Sequence, residues 1–154
     1  MRHYLEHFAK KACDRLRANV EFRGDGQFML GDLLPTATSS LGSLLKKAKT
    51  AANSWGQKEV VERISAIEAA FGDTKVKTGY DSWQINTAVH FNEWASLHRK
   101  DFEPVVSAFK GFTDTFSCVT CSEMYYVTPN RGPKGALRCG CGTLNLNLSA
   151  KSET

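Results

Sequence analysis

With 154 residues, 42% of them hydrophobic and 10% aromatic, the chain has the size of one ordinary domain and enough apolar material for one main core, which excludes a disordered polymer. A formal charge of +4 arises from 20 basic residues offset by 16 acidic ones spread along the sequence, a balance that permits nucleic-acid contact without demanding it. No apolar run reaches the ~20 residues that span a bilayer, and Met1-Arg2-His3-Tyr4-Leu5-Glu6-His7-Phe8 carries charge where a signal peptide is apolar, so a cytoplasmic protein with no membrane segment is expected.

In chain order, Tyr4, Leu5, Phe8, Ala12, Leu16 and Val20 recur at steps of three and four, which predicts a first helix from Arg2 to about Asn19. Val20-Glu21-Phe22 and Gln27-Phe28-Met29-Leu30, around Gly24-Asp25-Gly26, read as two short extended pieces. Asp32 is the expected cap of a second helix through Leu33, Leu41, Leu44 and Leu45 to about Ala52. Pro35 would fall in its first turn, and the Ser/Thr-rich stretch around Gly42 invites a break. A third helix, Gln57 to Phe71, carries Val60, Val61, Ile64, Ile67 and Phe71 as one stripe, and Gly72-Asp73 should end it. The fourth, Asp81 to Ser96, places Trp83, Thr87, His90 and Trp94 on one face. The fifth, Lys100 to Phe116, turns Phe102, Val105, Val106, Phe109, Phe112 and Phe116 inward, and a core of Trp83, Trp94, Phe102, Val106 and Phe109 is expected. The fold class is therefore mainly α, about five helices followed by a small β ribbon. The expected division is 1-117 helical domain, 118-148 ribbon and 149-154 disordered tail.

Five cysteines are an odd number, and four lie within 24 residues. Cys118-Val-Thr-Cys121 and Cys139-Gly-Cys141 are two close pairs separated by 17 residues, a set that can supply the four tetrahedral thiolates zinc prefers. The second pair is one residue shorter than usual, so its turn must be tight, and Gly140 and Gly142 would allow it. Between the pairs, Glu123 to Thr128 has strand character and Pro129 to Gly135 turn chemistry. Thr143 to Leu148 alternates polar and apolar residues as a half-buried strand does. Free thiols or two disulfides are the rival reading, but they explain neither the glycines nor the clustering in a reducing compartment. A catalytic zinc is the other rival, but it keeps one position open, whereas four thiolates close the sphere, so a structural Zn2+ on Cys118, Cys121, Cys139 and Cys141 is expected. Cys13, among apolar neighbours, is expected to be a buried spectator.

His90 follows Asn86 by one helical turn, a spacing that can hold a phosphate or a 2'-hydroxyl; a hydrogen-bonded core histidine is the plainer alternative. The run Ile85-Asn86-Thr87-Ala88-Val89-His90 resembles the Arg-Asn-x-x-x-His signature of the HEPN superfamily of helical domains. Leu30-Gly31-Asp32-Leu33, the His90-Phe91-Asn92-Glu93-Trp94 stretch and the closing Cys139-Gly140-Cys141-Gly142 resemble the C-terminal region of bacterial RecF- or SMC-like AAA-type ATPases. The resemblance implies a setting in defence against phage or plasmids, or in DNA maintenance. In catalytic HEPN members the arginine and histidine of two subunits act together on the 2'-hydroxyl and the phosphate. Here the arginine position is Ile85.

The leading expectation is accordingly a non-catalytic module that binds protein or nucleic acid. Its protein partner is expected to be an ATPase subunit or a second copy, since the chain has no Gly-x-x-x-x-Gly-Lys-Ser/Thr loop of its own. The alternative is a metal-independent ribonuclease using His90 with Asn86. For nucleic-acid contact the candidates are Arg131, Lys134 and Arg138 on phosphates and Tyr125 and Tyr126 on bases, although three cations on a hairpin are also an ordinary solvated edge.

Overall fold

A computed structural model describes residues 2–21, 28, 30–90, 99–128 and 135–151, with backbone alone for 2–3, 75–90, 99, 101–102 and 104–105. Among the described residues four helices precede a three-stranded sheet: α1 (Arg2–Leu16), α2 (Leu30–Ser54), α3 (Lys58–His90), α4 (Arg99–Thr115), β1 (Tyr126–Val127), β2 (Ala136–Arg138) and β3 (Asn145–Asn147).

α1 buries Leu5, Phe8, Ala9, Ala12, Cys13 and Leu16 along one stripe. Arg17 stops it by turning left-handed (φ 51°), so that the amide of Ala18 reaches back to the carbonyl of Cys13 at 2.8 Å and the amide of Arg17 to that of Asp14 at 3.1 Å. α2 ends in the same way at Gly56 (φ 68°), with Gln57 bonded back to Ala52 at 2.9 Å, here on a residue that takes the conformation without strain. Along α2 the buried face is Leu33, Ala37, Leu41, Leu45, Ala48, Ala51 and Ala52; the alanines at its C-terminal end let the sheet approach closely.

Several expectations are corrected. The predicted third and fourth helices are one, because Gly72-Asp73 does not break α3. Gly72 is helical and exposed, its Cα faces open space, and Thr74 bonds its hydroxyl back to the carbonyl of Ala70 at 2.8 Å. A glycine inside a helix costs only about 1 kcal/mol against alanine, which flanking packing readily offsets. α2 begins at Leu30, so Asp32 lies in its first turn and Pro35 beyond it. The helix nevertheless runs unbroken past Gly42, where it meets the ring of Phe71. Val20, Glu21 and Phe28 belong to no strand; 22–27 and Met29 lie outside the described residues, as does the part of the predicted fourth helix from Phe91 to Ser96, Trp94 included.

α1 packs on α2, α2 on α3 and α3 on α4. The rings of Phe8, Phe71 and Phe112 surround Phe116 in edge or tilted contacts, and this aromatic knot occupies the centre of the core. Val106, expected inside, is 48% exposed, because the buried stripe of α4 runs through Phe109, Phe112 and Phe116 and Val106 stands off it. Phe109 is buried, but with Leu5 in a small separate cluster; nothing is described of the side chains of Trp83 and Phe102.

The sheet is antiparallel in the order β1-β2-β3, with Val127 opposite Leu137 and Leu137 opposite Leu146. Leu144 and Leu146 point inward and Asn145 and Asn147 outward, as the alternation predicts. Leu137, Leu144 and Leu146 join the same buried cluster as Phe8, Leu41 and Phe116, so the ribbon shares its core with the helices. At the far end, Trp55 donates its indole N–H to the carbonyl of Ser149 (3.2 Å) and the amide of Lys151 reaches the hydroxyl of Ser54 (2.8 Å), so that 149–151 is bonded to the end of α2. Among the described residues no helix is long and apolar enough to cross a membrane.

Candidate metal centre

α4 delivers the first cysteine pair. Its last turn tightens, with Phe116 bonded to Thr113 and Ser117 to Asp114, and the chain then enters a bridge between Ser117 and Met124 that encloses the first Cys loop. Inside that bridge Cys118 donates its amide to Glu123, and its carbonyl accepts from Ser122 at 2.8 Å. Ser122 is left-handed (φ 56°), a position where glycine is the usual occupant. The second pair sits in the turn between β2 and β3: Cys139 and Leu144 bond across its base, and the amide of Gly142 closes onto Cys139 at 3.1 Å. The two glycines that frame this turn have different tasks. Gly142 takes a positive φ of 75°, whereas at Gly140 the room is needed, because a Cβ there would run into the carboxylate of Glu123.

The sulfurs of Cys118, Cys121, Cys139 and Cys141 converge to within 4.8 Å of one another, and this group can hold a metal ion. Tetrahedral bonds of about 2.3 Å imply sulfur–sulfur edges of about 3.8 Å. Cys118 and Cys141 are 3.8 Å apart and Cys139 and Cys141 3.4 Å, far longer than the ~2.05 Å of a disulfide bond. All five cysteines are free, and Cys13 is a buried bystander whose thiol meets the carbonyl of Leu33. No histidine or carboxylate belongs to the group among the described residues.

The surroundings favour thiolate at two of the sulfurs. At Cys118 burial pushes the thiol up, but hydrogen bonds from the backbone of Cys121 and Thr120 and from neighbouring thiols outweigh it, and the net direction is down. Cys141, exposed, is lowered to about 6 by the hydroxyl and then the amide of Thr143, with help from Cys139. Cys139 moves the other way: burial pushes it up, against a hydrogen bond from the amide of Leu144 at 3.1 Å. A cation at the centre would favour the deprotonated form of all four. Behind the cluster, burial, and then the charge of Cys118 and Cys139, push the hydroxyl of Tyr125 up to about 12.

Of the other candidate residues, Tyr126 on β1 and Arg138 on β2 stand opposite each other in the sheet. Tyr125 is buried, with 6% exposure, so its ring has no free face for a base, and Tyr126 is half-buried under the guanidinium of Arg15 at 5.8 Å. Arg138 is exposed and donates to the side chain of Asn145. Arg131 and Lys134 lie outside the described residues. Asn86 and His90 fall in the last turns of α3, where the backbone alone is described. Sequence reasoning did not single out Arg63, which extends from α3 and donates to the carbonyl of Thr143 at 2.9 Å, holding the second cysteine turn against the helices. Its place on the polar face of its helix was visible, but a contact across 80 residues of chain has no local signal.

Compared with protein-family models, with curated proteins and with solved structures, the chain finds no match.

Proposed function

We propose that this protein is a non-catalytic binding module in which one structural zinc ion, held by Cys118, Cys121, Cys139 and Cys141, clips the β ribbon onto the helical bundle. The observation that supports it is the closed ligand set: four sulfurs within 4.8 Å of one another and no fourth position left for water or substrate. Zinc would satisfy four thiolates without redox chemistry and tie the two cysteine turns to each other. The setting we propose is the one the short motifs imply. A helical domain of HEPN type, in the cytoplasm, works with an ATPase encoded outside this sequence, or with a second copy of itself, in phage or plasmid defence or DNA maintenance. The motif resemblance alone supports that setting.

Two measurements on freshly purified, reduced protein test the proposal. Metal analysis is expected to give about one zinc per chain; iron in its place would overturn the choice of metal, and no metal at all would overturn the site. Incubation with mixed RNA in EDTA is expected to leave the RNA intact, because Ile85 stands where the arginine of a HEPN nuclease would supply the fixed cation. Robust cleavage that disappears in His90→Ala would make the protein a ribonuclease and not a binding module.

A further inference from the structure

The four sulfurs of the candidate metal centre are held unequally. Cys118 and Cys139 are buried, at 3% and 1% exposure, and both belong to the core that the ribbon shares with the helices. Each of these sulfurs also accepts a backbone amide, Cys118 from Thr120 at 3.4 Å and Cys139 from Leu144 at 3.1 Å. Cys121 is half-buried against the same core. Cys141 differs from all three: it is exposed, and so are Gly140, Gly142 and Thr143 around it. Its own amide and carbonyl have no hydrogen-bond partner among the described residues, and a glycine on either side leaves the backbone free to turn.

What holds Cys141 in place reaches it from α3. The hydroxyl of Thr143 stands 3.0 Å from its sulfur, and the carbonyl of Thr143 accepts the guanidinium of Arg63 at 2.9 Å. Arg63 is itself exposed, but its neighbour Ile64 is fully buried, so the base of the arginine is fixed and its bond ties the far side of the turn to the helices. The carboxylate of Glu123, against Gly140, has the same sign as the thiolates and does not draw the turn in. Freeing Cys139 would break into the core, whereas freeing Cys141 would give up one contact to Thr143 and move a turn that already faces water.

We infer that Cys141 is the detachable ligand of this centre, the one through which zinc is loaded and surrendered to a competing donor, and that Arg63, acting through Thr143, is the positioning residue that keeps it attached. The inference rests on the zinc reading above and adds the route by which the ion exchanges. The exchange is a ligand substitution without a redox step. The bond from the Cys141 sulfur to the ion breaks, the sulfur takes a proton from water, and a nitrogen or sulfur atom of the competitor takes its place. Cys118, Cys121 and Cys139 keep their bonds meanwhile, a three-ligand set of the kind that holds zinc with one position open.

The test mixes the full zinc-loaded chain with excess 4-(2-pyridylazo)resorcinol and follows zinc release by absorbance. Arg63→Ala is expected to release zinc at least about fivefold faster than wild type, in keeping with the loss of an outer-shell contact. Arg63→Lys, which keeps a donor of similar reach, and Glu62→Ala, the exposed neighbour on α3, should each stay within about twofold of it. Circular dichroism identical to wild type establishes that the variants fold. After gel filtration Cys141→Ser should retain its zinc and Cys139→Ser should not. Brief treatment of the zinc-loaded wild type with N-ethylmaleimide, followed by peptide mapping, should label Cys141 before the other three ligands. Equal loss of zinc from the two serine variants, or first labelling at Cys121, would overturn the detachable ligand while leaving a structural zinc in place. Release from Arg63→Ala at the wild-type rate, or as fast from Arg63→Lys as from Arg63→Ala, would overturn the role of Arg63. A wild-type chain that binds no zinc would remove the reading on which the inference rests, and the inference with it.

Discussion

Replacing Phe116 with alanine removes a fully buried ring whose centroid lies 5.6 Å from that of Phe8, 6.2 Å from Phe71 and 5.1 Å from Phe112. Burial of this kind loses about 3 to 5 kcal/mol on truncation, and edge contacts to three rings place Phe116 near the top of that range. Against a total stability of about 5 to 15 kcal/mol, a loss of about 4 to 5 lowers the melting temperature by about 8 to 20 °C. The site of the damage matters as much as its size. The carbonyl of Phe116 accepts the amide of Tyr125 at 2.8 Å and Phe116 precedes Cys118 by two residues, so the cavity opens under the candidate metal centre. Thermal unfolding followed by circular dichroism, with metal release read by a chromogenic chelator in the same sample, should show both events moving to lower temperature together. A loss below about 1 kcal/mol would refute the burial argument. Metal release that leaves the helical transition untouched would refute the shared core. Val106→Ala, half-exposed, is the control and should stay within about 0.5 kcal/mol.

Cys139→Ser should abolish tight zinc binding and lower the melting temperature of the helices as well as the ribbon, since Leu137, Leu144 and Leu146 share their core; equilibrium unfolding with two probes reads this. The two left-handed positions in the cysteine turns should respond in opposite directions: Gly142→Ala should cost about 1 kcal/mol and Ser122→Gly should stabilise by a similar amount in urea titrations, an ordering that equal effects would contradict. Burial pushes the Cys13 thiol up, so it stays protonated across neutral pH and should resist iodoacetamide at pH 8 in the folded protein. Cys141, exposed and lowered to about 6, is a thiolate there and should be the first alkylated once metal is stripped, as peptide mapping by mass spectrometry would reveal.

The sequence alone was enough to single out the four cysteines that converge into a group able to hold a metal ion, because a pair of thiolates two or three residues apart is a local device whose geometry follows from its spacing and its glycines. The alternation through Leu144 and Leu146 was legible for the same reason, as was the inward stripe of α1 from Leu5 to Leu16, although Tyr4, counted with it, is 61% exposed. Other features were decided only in the tertiary structure. Gly72 reads as a helix stop until α3 is packed between α2 and α4, when the cost of one glycine becomes small beside the continuous face on either side. Val106 and Phe109 carry the same hydrophobic signal three residues apart, yet one faces solvent and the other the core, because the direction of a stripe is fixed by what lies opposite it. The bond from Arg63 to the second cysteine turn joins segments 80 residues apart in the chain. Local periodicity records which side chains prefer burial; which of them are left at the surface is set by long-range packing, which no local pattern encodes.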